Sequence, residues 1–119
     1  MSRWEVDLGY VQPWLKQLDM DSHDQVIAAM DALSIGGPML GRPLVDTVHG
    51  SSFANMKELR PGSAGESELR VLFAFDPWRR AIMLVGGDKR GEWNSWYRMN
   101  IPRADQLFRD HVTTLREGM

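Results

Sequence analysis

The chain opens with alternation. Trp4, Val6 and Leu8 are separated by Glu5 and Asp7, the period of a short half-buried strand. The period then lengthens. Val11, Trp14, Leu15 and Leu18 fall at helical spacing, with Pro13 acceptable in a first turn. A second helix follows: Ser22 and Gln25 are spaced as a capping box, Val26, Ile27, Met30 and Leu33 form an apolar stripe, and Gly36-Gly37-Pro38 stops it. The middle of the chain changes to short runs rich in Val, Leu, Phe and Ile at 44–49, 53–60, 69–75 and 81–86, each bounded by turn residues. The loops 61–67 and 76–80 join the last three as antiparallel hairpins. A polar segment, 87–100, precedes a final helix opening at Pro102 with Leu107, Phe108, Val112 and Leu115 on one face. This order predicts one α+β domain over 1–119: an antiparallel twisted sheet, two N-terminal helices and a C-terminal helix, with the helices mostly on one face.

Composition narrows the class. At 119 residues, with 43% hydrophobic and 25% charged positions, the chain suits one globular core rather than two, and is neither disordered nor collagen-like. The longest apolar runs, 81–85 among them, have five residues, too few for a membrane span, and the N-terminus lacks an apolar signal core. Cysteine is absent, which removes disulfides, thiolate metal sites and a thiol nucleophile and suits a reducing cytoplasm. His23, His49 and His111 are too far apart for a local metal motif, and no cofactor or metal is expected. Gly86-Gly87 follows a strand, but no helix opens after it, so a phosphate-cradling loop is not expected there.

Charge adds a direction. The net value is −2, against the basic footprint usual for nucleic-acid binders. The distribution is uneven. Residues 1–41 carry two basic and six acidic side chains, whereas residues 42–100 carry nine and seven. The middle cations cluster as Lys57 with Arg60, Arg79-Arg80 and Lys89-Arg90. In the strand at 69–75, Leu69, Val71, Phe73 and Phe75 form the core face and Arg70, Leu72, Ala74 and Asp76 the other. Phe53 and Leu59 facing the same core place Glu58, Arg60 and Arg70 together on the outer face, where two guanidinium groups suit a phosphate between them. The competing arrangement is a surface ion pair, Arg60–Glu58 or Arg70–Asp76. Lys57, by the same alternation, belongs to the core side and reaches the cleft only by snorkelling or through a bulge.

The succession Phe53-Ala-Asn-Met-Lys-Glu-Leu-Arg-Pro61, Leu69-Arg-Val-Leu-Phe-Ala-Phe-Asp-Pro77, Ala81-Ile-Met-Leu-Val-Gly-Gly-Asp-Lys89 and Trp96-Tyr97 resembles the RelE/ParE toxin superfamily, most closely its HigB-like, phage Gp49-like branch. The resemblance implies a RelE-like domain acting as the cytoplasmic toxin of a type II toxin–antitoxin system. Its implied activity is metal-independent cleavage of mRNA on the ribosome, and its implied partner a helix-turn-helix antitoxin. It assigns catalytic roles to Arg70, Arg60, Lys89 and Tyr97, and RNA contacts to Lys57, Arg90 and Trp96. Two features depart from the RelE pattern: Glu58 stands where a second lysine would serve, and the chain is acidic. A non-catalytic, ParE-like inhibitor of DNA gyrase and a phage-derived domain retaining only a binding role remain the alternatives.

Overall fold

The computed structural model describes residues 3–63 and 65–118. The order is β1 (Glu5–Asp7), a 3-10 turn, α1 (Gln12–Gln17), α2 (Met20–Gly36), a second 3-10 turn, β2 (Val45–Thr47), β3 (Lys57–Leu59), β4 (Leu69–Phe75), β5 (Arg80–Asp88) and α3 (Trp93–Glu117). Pro13 stands in the first turn of α1, as its spacing predicts. The cap of α2 is Asp19, whose carboxylate accepts the Ser22 amide at 3.1 Å, so Ser22 sits at the third helical position rather than at the cap. Gly37, at φ 59°, ends that helix.

The five strands lie in the order β1-β5-β4-β3-β2. The pairs from β2 to β5 are antiparallel, as expected, whereas β1 adds to β5 in parallel, Val6 beside Ala81. That pairing is reachable because two helices and three strands separate β1 from β5 in sequence, ample length for a crossover. Between Leu72 and Phe73 the register shifts by one residue, so Leu84 bulges from β5, and Leu84 and Val85 both turn toward the same side of the sheet.

Both faces of the sheet are buried. Leu59, Val71, Phe73 and Met83 pack against Leu15, Val26, Met30 and Leu33 of α1 and α2. On the reverse, Met56, Leu72, Ile82 and Leu84 pack against Trp96, Ala104 and Phe108 of α3. The expectation of helices mostly on one face is therefore corrected. The uninterrupted apolar run Val71-Leu-Phe-Ala74 belongs to a strand covered on both sides, not to an alternating half-solvated one. Gly86 and Gly87 belong to this arrangement: a Cβ at the first would run into Trp14, and one at the second into Trp96, so the pair lets an indole lie against each face of β5.

The onset of α3 also differs. It begins at Trp93, not Pro102, which lies inside it. The polar reading of 87–100 came from solvent-facing positions; the inward stripe is Trp96, Asn100, Ala104 and Phe108, every fourth residue. The buried Asn100 amide donates to the Trp96 carbonyl at 2.9 Å just ahead of the proline, which has no N–H to contribute. At the far end, Asp76 clamps α3 to the β4–β5 turn. Its Oδ2 lies 2.8 Å from His111 Nε2 and accepts Arg80 Nε at 3.0 Å, while its Oδ1 accepts the Trp78 and Arg80 amides. Burial alone would raise the Asp76 pKa; the hydrogen bonds with His111 and Arg80 outweigh it and hold the carboxyl below its ordinary value.

Candidate active site

Strand alternation places Glu58 of β3 opposite Leu72, and Arg70 of β4 opposite Gly87, on the face that α3 covers. Arg60 continues β3 past the ladder pair Leu59–Val71, its amide bonded to the Leu44 carbonyl at 2.8 Å. Arg60 and Arg70 therefore emerge side by side, as the register argument requires. Between them stands Glu58. Its Oε1 is 3.8 Å from Arg60 Nε and 3.9 Å from Arg70 Nε. Its Oε2 accepts a 2.7 Å hydrogen bond from the Tyr97 hydroxyl. The contrast in length matters. The tyrosine bond is firm, whereas the arginine contacts are attractions too long to be hydrogen bonds. Arg70 donates one N–H to the Leu69 carbonyl at 2.7 Å, and its buried Nε has no hydrogen-bond partner among the described residues. A donor nine-tenths out of water and unbonded is costly unless something else takes its hydrogen.

Lys89, just beyond β5, closes the cluster. Its amide bonds to the Glu68 carbonyl and its Nζ lies 4.0 Å from Glu68 Oε2, over the Trp93 ring at 3.8 Å and the Tyr97 ring at 5.1 Å. Burial, with the neighbouring Arg70 charge, pushes its ammonium pKa down. Tyr97 moves the other way: burial and the Glu58 carboxylate push its phenol up to about 12. The phenol is thus a neutral donor to Glu58 in the free protein. Glu58 and Tyr97 also form one wall of a pocket of about 300 Å³ completed by Asp46, Thr47, Val48, His49 and Ile101.

Of the residues expected from sequence, Arg60, Arg70, Lys89 and Tyr97 come together. The other three do not. Lys57 pairs with Phe73 and shares the Leu59 side of the sheet, across from the cluster, because no bulge interrupts β3. Arg90 is exposed and holds Glu66 at 3.2 Å. Trp96 is buried in the second core, edge-on to Tyr97, because α3 starts early enough to turn it inward. Sequence reasoning undervalued Glu58, although its alternation with Arg60 was a sufficient signal. Trp93 is more than half exposed, with the Lys89 ammonium over its ring, and His49 lines the pocket beside the cluster.

The α+β architecture, a curved sheet with two helices on one side and a long C-terminal helix on the other, is that of a RelE-like domain. The sequence profile of the family described as "Phage derived protein Gp49-like (DUF891)" matches residues 13–109, and the chain belongs to that family. It is 50% identical over 114 residues to the protein described as "Putative toxin HigB2" of Mycobacterium tuberculosis (strain H37Rv), covering 96% of this chain and 57% of that one. It is 56% identical over 99 residues to "Putative toxin HigB3" of the same organism, covering 83% and 84%. The chain thus spans little more than half the length of HigB2. No solved structure matches it.

Proposed function

We propose that this chain is the toxin of a type II toxin–antitoxin pair and acts in the cytoplasm as a ribosome-dependent mRNA endoribonuclease, restrained by a helix-turn-helix antitoxin. The names of HigB2 and HigB3 support the toxin role. One observation supports the chemistry: Arg60, Arg70 and Lys89 surround a buried carboxylate, and a phenol holds that carboxylate in place.

RNA supplies its own nucleophile. The 2′-oxygen forms a bond to the adjacent phosphorus while the bond from phosphorus to the 5′-oxygen breaks, leaving a 2′,3′-cyclic phosphate and a free 5′-hydroxyl. Glu58 Oε1 takes the proton of the attacking hydroxyl, and Tyr97 fixes the carboxylate by its bond to Oε2. Arg70 and Arg60 take the non-bridging phosphate oxygens, which gives the unpartnered Arg70 Nε an acceptor. Lys89, made more acidic by its surroundings, passes a proton to the departing oxygen. Trp93, beside Lys89, offers an exposed ring for a base to stack on.

A second reading has an observation of its own. Glu58 already faces both arginines, an arrangement a purely protein-binding, ParE-like inhibitor would tolerate. One experiment separates the two. Wild type and Arg70→Ala are added to translating ribosomes, RNA ends are mapped, and gyrase supercoiling is assayed in parallel. Ribosome-phased ends that fall by about 30- to 1,000-fold in the variant, the equivalent of roughly 2–4 kcal/mol of transition-state stabilisation, support the ribonuclease. Intact RNA with a supercoiling defect supports the inhibitor.

A further inference from the structure

The turn between β4 and β5 lies at the far end of the sheet from the cluster. Phe75 pairs with Ala81 there, whereas Arg70 pairs with Gly87 beside the cluster. We infer that this hairpin end docks a segment of a partner protein that carries a carboxylate between apolar side chains. The inference does not use the ribonuclease reading.

The backbone of the turn supplies the first argument. The Arg79 amide bonds to the Asp76 carbonyl at 3.2 Å and the Asp76 amide to the Arg80 carbonyl at 2.8 Å, so Pro77-Trp78-Arg79 is a three-residue hairpin loop. Pro77 stands where its ring favours the turn, and Asp76 Oδ1 accepts the Trp78 and Arg80 amides. The third loop position needs a left-handed backbone, for which glycine is the ordinary residue. Here it is Arg79, at φ 65°, the only non-glycine residue with positive φ among the described residues. Its guanidinium lies over the Trp4 ring, 4.4 Å from the centroid. A cation–π contact at the surface offsets no more than part of the cost of that backbone, so the fold alone does not account for an arginine.

The second argument is what the turn presents. Arg80 is held by Asp76 at 2.9 Å, whereas Arg79 has no carboxylate partner among the described residues, and the edge of its fork is open to one. Beside it Trp78 is more than half exposed, with Arg80 5.3 Å from its ring centroid. Trp4 is tied to the end of α2 by two 2.8 Å bonds with Ser34, and at that end Ile35 and Met39 are exposed. Tryptophan beside arginine is the commonest anchor chemistry of protein interfaces. The surrounding charges decide between protein and nucleic acid. Arg3 and Glu5, on either side of Trp4, offset each other, and exposed Asp31 lies one turn before Ile35. One unpaired cation suits one carboxylate. A nucleic-acid strand needs a row of them and would meet Glu5 and Asp31 as well.

The test follows the N–H resonances of residues 76–80 in the intact protein. The probes are two acetylated, amidated pentapeptides, Leu-Asp-Leu-Asp-Leu and Leu-Asn-Leu-Asn-Leu, and a uridine hexanucleotide. The aspartate peptide should move the turn resonances and bind about tenfold more tightly than the asparagine one. Arg79→Gly gives the turn its ordinary residue. It should remove that difference while melting no lower than wild type. Trp78→Ala should weaken the aspartate peptide in its turn. Equal binding of the two peptides, shifts centred away from the turn, or full affinity in Trp78→Ala overturns the inference. A melting temperature lower by more than about 4 °C in Arg79→Gly assigns the arginine to the fold and overturns it too. Tighter binding of the hexanucleotide than of the aspartate peptide at this turn overturns the choice of a protein partner.

Discussion

Replacing Glu58 by Gln separates binding from chemistry, because the two should move in opposite directions. The carboxylate contacts two guanidinium groups at 3.8 and 3.9 Å. At effective dielectric constants between about 80 and 20, a unit pair at that distance attracts by about 1–4 kcal/mol. Arg60 is about a quarter exposed, so solvent screens its share and the lower part of that range applies. Phosphate must compete with this attraction. Removing the charge but keeping an acceptor for the Tyr97 hydroxyl should strengthen binding by about 1–2 kcal/mol, roughly five- to thirtyfold. The same change deletes the group proposed to take the 2′-hydroxyl proton, which should slow cleavage by about 10²–10⁴-fold. Affinity is read by fluorescence anisotropy of a single-stranded RNA carrying a 2′-deoxy sugar at the cut, and rate by single-turnover cleavage on programmed ribosomes. Unaltered melting confirms that the variant folds. A Glu58→Gln protein that cleaves within about twofold of wild type refutes the base assignment. One that binds RNA more weakly refutes the claim that phosphate displaces Glu58 from the arginines.

Tyr97→Phe removes the 2.7 Å bond that orients Glu58, and should lower the cleavage rate about tenfold with RNA affinity little changed; an ultraviolet titration should lose the tyrosinate component near 12. Because that folded value is raised, the stability linked to Tyr97 is complete below the ordinary value of 10.0 and disappears as pH rises through about 12, which alkaline melts will register. Lys89 must be protonated to act as an acid, so the wild-type rate should fall with rising pH below the ordinary lysine value of 10.5; Lys89→Arg should be slower and lack that alkaline limb in a pH–rate profile. Asp76→Asn sets an amide N–H₂ or a neutral oxygen against His111 and Arg80 in a fully buried place, and should cost about 3–5 kcal/mol near neutral pH, a melting temperature lower by about 12–20 °C. The folded Asp76 pKa is depressed, so this difference should hold above the ordinary aspartate range and vanish as pH falls through the lowered value.

What was legible in the sequence was local. Strand β4 has the residues its pattern predicts, 69–75, and the period-2 rule alone placed Arg60 with Arg70 and set Lys57 apart. The run 53–60 contracts to Lys57–Leu59 because Phe53 leaves the ladder to pack edge-on against Phe108. The polar stretch before Pro102 concealed one turn after another of helix, since its inward residues include an asparagine that no hydrophobic pattern marks. The clamp joining Asp76 to His111 spans 35 positions, and the tie from Ser51 to Asp105 spans 54. Neither has any local signature. The pocket is lined from β2, β3 and α3, segments far apart in the chain, so its outline could not have been drawn from spacing.

The acidity of the chain loses its force as an objection to RNA once the charges are placed. Asp19, Asp21, Asp24 and Asp31 belong to α2 or its cap, on the side of the sheet where α1 and α2 pack. Arg60, Arg70 and Lys89 gather on the other, around one carboxylate. A polyanion is thus repelled by one face and drawn to the opposite one, so the negative N-terminal third helps orient the encounter instead of preventing it. Glu58 fits the same logic. Without it, three neighbouring cations would repel one another in a space largely closed to water. With it, the free protein is held together by loose contacts at 3.8 and 3.9 Å that a phosphate can replace with shorter ones. The residue that breaks the expected basic pattern is therefore the one that lets the cluster exist in the free protein, and on the proposed ribonuclease reading it stands where a proton has to be taken.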